Sequence, residues 1–179
     1  VGLSVRNTDD SSFATKKSFL PWINEVVTEV RRQTQAFILL GGVGFSIMPD
    51  IILKLTRADA GIAGDGEEVA PALAQCLLND KDISHLPNVV YWHNGSIIRN
   101  PRVDIDLQDL TPPRRRLFDN KRYEQLGAMV GIETKRGCTQ QCIFCADPIA
   151  KGISARLRPP LKVVQEFQEL LSQGVSWFH

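Results

Sequence analysis

Two hydrophobic rhythms alternate through the first hundred residues of the chain. Short apolar runs with the character of buried strands stand at 1–5 (VGLSV), 36–40 (AFILL) and 59–63 (DAGIA). Between them, apolar positions recur every three or four residues, the repeat of a helix with one buried face. Residues 18–32 place Leu20, Ile23, Val26, Val27 and Val30 on such a face. Pro21 falls in its first turn, where a missing N–H is tolerated. Residues 49–57 predict a short helix. Residues 67–79 predict a longer one, with Glu67 and Glu68 in a first turn where the helix dipole favours negative charge. A polar loop fills 6–17, and Gly64-Asp65-Gly66 predicts a turn. This βαβα order predicts an α/β fold with a doubly wound parallel sheet, which binds ligands at the carboxyl ends of its strands.

The rhythm breaks at 88–100. Two β-rich runs flank Asn94-Gly95 and predict a hairpin with a tight turn, suited to the edge of a domain. Residues 101–120 carry Pro101, Pro112, Pro113 and the run Arg114-Arg115-Arg116, which predict an ordered linker whose arginines form a solvated face. Residues 129–134 predict a strand, and a helix runs from Pro159-Pro160 to about 172 with Val163, Val164, Phe167, Leu170 and Leu171 inward. Gln173-Gly174 ends it and a last strand follows at 175–179. The expected organisation is one domain over 1–100, a linker over 101–125 and the start of a second domain over 126–179. The chain opens and closes inside strands, so a fragment incomplete at both ends is expected.

Composition adds two exclusions. Lys+Arg (21) and Asp+Glu (20) nearly cancel, which gives no support for a nucleic-acid or membrane-surface role. No apolar run is long enough to span a bilayer. Four cysteines, three of them clustered, do not resemble a disulfide framework, and a reduced, cytoplasmic compartment is expected.

Those three are Cys138, Cys142 and Cys145, spaced C-x3-C-x2-C with no fourth cysteine after them. A four-iron cluster takes one soft thiolate per corner, so three cysteines leave one iron open for chemistry. A zinc site is the competing reading, but structural zinc takes four ligands, often as two separated pairs. Cys76 lies within a predicted helix and reads as a small core residue.

Spacing, the aromatic Phe144 before the third cysteine, and the strand–loop–helix setting resemble the radical S-adenosylmethionine (radical SAM) superfamily. The resemblance implies a [4Fe-4S] cluster on Cys138, Cys142 and Cys145, with SAM completing the fourth iron and Phe144 near the SAM adenine. Reductive cleavage of SAM would yield a 5′-deoxyadenosyl radical. The preceding domain is similar to that of the cobalamin-dependent members. Ser4 in GLSVRN and Gly41-Gly42 in LLGGVGFS resemble two cobalamin contacts there, and Gly64-Asp65-Gly66-Glu67 resembles a turn common in that group. The Asp-x-His-x-x-Gly motif that supplies a lower cobalt ligand in other cobalamin domains is absent from this sequence.

The implied architecture is a Rossmann-like cobalamin-binding domain followed by the first β/α units of a radical SAM TIM-type barrel. The implied reaction is methyl transfer to an unactivated carbon, with cyclisation or rearrangement without net methylation as the alternative. A non-catalytic cobalamin- or iron–sulfur-binding regulatory module is the alternative outside catalysis. Expected partners are an electron donor such as flavodoxin or ferredoxin and a small-molecule, lipid or peptide substrate, with no nucleic acid and no membrane span.

Overall fold

The structure, a computed structural model, describes residues 1–179. It divides into two compact units. The first comprises Val1–Asp104 with Gln140–Gly152, and the second Ile105–Thr139 with Ile153–His179.

The first unit is built on a five-stranded sheet in the order β1 (Gly2–Ser4), β2 (Leu39–Gly41), β3 (Ala60–Ile62), β4 (Val89–His93), β5 (Ser96–Arg99). The first three strands are parallel, in the register Ser4↔Gly41 and Leu40↔Gly61. The last two run antiparallel, so the sheet is mixed at the hairpin edge. The hairpin turn is the predicted Asn-Gly pair, with φ of 49° and 78°, the left-handed pair that matches strand twist.

Alternation along the strands sorts side chains to two faces. Ile38, Leu40 and Val90 point to one face, packed with Ile23 and Val27 of α1 (Leu20–Gln33) and Ile52 and Leu53 of α3 (Pro49–Thr56). Leu39, Val89 and Tyr91 point to the other, beside Val69, Leu73 and Cys76 of α4 (Val69–Leu78). Helices therefore cover both faces, and Cys76 is the buried core residue expected. The α4 helix begins later than its sequence suggests. Glu68 is the residue before it, so no acidic side chain sits in its first turn.

A five-residue helix, α2 (Val43–Ile47), lies between β2 and α3 and is too short to show a period. It packs on α6 (Asp147–Lys151), which follows the cysteines.

In the second unit, 129–134 is less regular than expected. A parallel bridge joins Val130 to Phe178, and a short antiparallel pair follows, β6 (Lys135–Arg136) with β7 (Arg156–Leu157). A polar helix, α5 (Asn120–Gln125), starts with Asp119 accepting the Arg122 N–H, an N-cap signal that the apolar pattern does not carry. The helix α7 (Pro160–Ser172) forms as predicted but with a different inner face: Leu170 and Glu166 are buried, whereas Val164, Phe167 and Leu171 are exposed.

Candidate functional site

Ser4 closes β1, Gly41 closes β2 and Gly42 opens α2, so all three meet at the carboxyl ends of adjacent parallel strands. Gly42 has φ 93°, and a Cβ there would stand 2.7 Å from Val5 O and 2.8 Å from Ser4 Oγ. Backbone conformation and the close approach of β1 both demand glycine. At Gly41 the nearest atom to an added Cβ is Ile62 O at 3.9 Å, which leaves this strand end open. Ser46, which the sequence reading missed, ties two loops of this edge together: its hydroxyl donates to Gly42 O at 2.9 Å and accepts the Gly64 N–H at 2.9 Å. The motif GGVGFS carried the signal, because a serine one helical turn after a glycine can return to that glycine's carbonyl.

A cavity of about 420 Å³ lies beside β1, lined by Leu3, Ser4, Val5, Phe19, Trp22 and Val26 among others. Its walls are largely apolar, with Arg6 and Asn7 at the polar side.

The cysteines lie between β6 and α6. Cys138 is half-buried, Cys142 and Cys145 are exposed, and none is in a disulfide. Cys145 N–H donates to Cys142 O at 3.1 Å, which folds that part of the loop into a turn. Ile143 and Phe144 point outward, Phe144 with 88% of its surface exposed, so Phe144 is not a core residue. No group of three or more His, Cys, Asp or Glu side chains converges within reach of one metal ion. The donor set nonetheless suits an iron–sulfur cluster: three free thiols within eight residues, with no carboxylate between them.

Several arginines around the loop are engaged. Arg136 pairs with Glu133 at 2.8 Å. Arg158 is buried against Glu166 at 2.7 Å. The arginine run is not the uniform solvated face expected, because Arg115 turns inward to the same Glu166 at 2.5 Å. Arg102 donates to the carbonyls of Ile149 and Ala150 at 2.6 and 3.2 Å, which caps the end of α6.

No protein-family profile matches the chain. Individual proteins do. Tryptophan 2-C-methyltransferase of Streptomyces laurentii is 29% identical over all of this chain, which covers 38% of that protein. The radical SAM methyltransferase TsrM of Kitasatospora setae, solved with cobalamin and a [4Fe-4S] cluster bound, superposes with a TM-score of 0.86 at 30% identity, covering 98% of this chain and 36% of that one. The anaerobic magnesium-protoporphyrin IX monomethyl ester cyclase of Synechocystis is 30% identical over 73% of this chain and 27% of its own. The chain thus spans 27 to 38% of the length of these proteins.

Fold and cysteine loop together place the chain among relatives of the radical SAM enzymes. More narrowly, its homologues and structural neighbours include cobalamin-dependent radical SAM methyltransferases. No helix is long and apolar enough to cross a membrane.

Proposed function

We propose that this chain carries the cluster ligands and part of the cobalamin site of an enzyme that methylates an unactivated carbon of a small molecule. The observation that carries the reading is the pairing of a C-x3-C-x2-C loop with a Gly-Gly strand end in a fold that superposes on TsrM. When bound, the cluster supplies the electron that cleaves SAM, and cobalamin carries the methyl group.

The residues of the chain do the rest. Cys138, Cys142 and Cys145 would hold the cluster, whose remaining position would be open to SAM. Phe144, exposed beside Cys145, offers a ring face to adenine. Ser4, Gly41 and Gly42 let a nucleotide tail approach the backbone at the carboxyl edge of the sheet. Residues 1–100 form the cobalamin-binding part, 101–125 the connection and 126–179 the start of the barrel. A reduced flavodoxin or ferredoxin supplies electrons in the cytoplasm.

Incubation of the intact, reconstituted protein with methyl-labelled SAM tests the reaction. The product is expected to gain one labelled methyl group. A product of rearranged skeleton with no label would favour ring formation instead, a reading that the similarity to the Synechocystis cyclase supports. A bound cluster with no turnover of SAM would favour a regulatory module.

A further inference from the structure

Before it reaches β6, which pairs with β7, the segment that feeds the cysteine loop has backbone pairing along one edge only at residues 130–132. Val130 N–H donates to Trp177 O, His179 N–H to Val130 O and Ile132 N–H to His179 O, at 3.0 to 3.1 Å. Backbone groups of successive residues in an extended strand point to opposite edges. Gly131 and Glu133 therefore face the other way.

Their carbonyls meet arginines rather than a strand. Arg115 Nη2 donates to Gly131 O at 2.6 Å, and Arg158 Nη1 donates to Glu133 O at 2.7 Å. One carboxylate holds both guanidinium groups. Glu166 Oε1 accepts from Arg115 Nε at 2.7 Å and Nη2 at 2.5 Å, while Oε2 lies 2.7 Å from Arg158 Nη2. The Glu166 and Arg158 side chains are 1% and 5% exposed. Burying such a triad is generally no more stabilising than well-packed apolar side chains of the same volume. Stability alone therefore does not account for it, and its geometry does: two guanidinium groups are aimed at two successive outward carbonyls.

We propose that Arg115, Glu166 and Arg158 form an edge clamp that takes the place of a neighbouring strand and positions the segment leading to Cys138. They are positioning residues, and the inference rests on the reading of Cys138 as a cluster ligand. The clamp also blocks this edge against addition of a further strand, since both outward acceptors are used.

Two measurements on the intact protein test it. The first is hydrogen exchange across 129–138 in the metal-free form. The second is the rate of iron loss to a chelator after anaerobic reconstitution. R115M/E166L/R158M removes all three charges and leaves none unpaired, so the circular dichroism spectrum should be kept. Exchange and iron loss should each quicken about tenfold or more, the mark of local opening without global unfolding. Arg158→Lys keeps a charge against Glu166 but loses the second donor. It should shift both rates in the same direction by about threefold in a chain that retains the ion pair. Unchanged exchange in both variants would overturn the clamp. Faster exchange with unchanged iron loss would overturn its positioning role. A parent protein that takes up no iron at all would overturn the cluster reading instead, and exchange would then decide the clamp by itself.

Discussion

At Gly61 the ring of Phe45 occupies the place a side chain would take. An added Cβ would lie 2.0 Å from Phe45 Cζ, and that ring is fully buried. Gly61→Ala should therefore destabilise the first unit by about 2 kcal/mol or more, as overpacking does in a dense core, with urea denaturation as the check. Glu124 makes a different prediction. Its carboxylate accepts from Lys121 Nζ at 2.5 Å and from the Ser176 N–H and hydroxyl at 2.7 Å each. The Lys121 contact first, and the Ser176 donors after it, pull its pKa from 4.5 to about 2. A carboxylate depressed in the folded state stabilises fully above its unfolded pKa and loses that contribution as pH falls toward the folded value. The Tm should thus decline between about pH 4.5 and 2, and more shallowly in Glu124→Gln. Residues of local meaning were legible in the sequence: the turn pair Asn94-Gly95 and the strand-end Gly42 answer to a left-handed backbone conformation, which glycine and asparagine signal. Glu166 was not. Its burial depends on Arg115 and Arg158, and no local period reports partners so far apart along the chain.

Among the elements, those with a strong period or turn chemistry formed where expected. The helix α1 buries Ile23 and Val27 of its predicted face, and the hairpin forms on its Asn-Gly turn. Gly95→Ala should cost the hairpin about 1 kcal/mol, since a left-handed φ of 78° is strained for any side chain. Faster exchange confined to β4 and β5 would show it. Short elements escaped, because α2 and α6 have five residues each and a single turn carries no period. The segment 129–134 reads as a strand from its apolar residues. Side-chain donors hold its outer edge in place of a ladder, so only an isolated bridge remains.

At the scale of the whole molecule, the fold was legible because three parallel strands, two-sided helix cover and a hairpin edge all leave period signals. The strand-end positions of the candidate site were legible for a narrower reason. Gly41-Gly42 and Ser4 stand at strand ends, where this architecture binds ligands. The central claim is that three thiolates hold a cluster with one iron open to SAM. The direct test is iron and sulfide analysis of the intact protein after anaerobic reconstitution, with electron paramagnetic resonance of the reduced cluster before and after SAM is added. Four irons per chain and a spectrum that changes on SAM addition are predicted, both lost on Cys→Ala at 138, 142 or 145. One zinc per chain, or a cluster spectrum indifferent to SAM, would contradict the account.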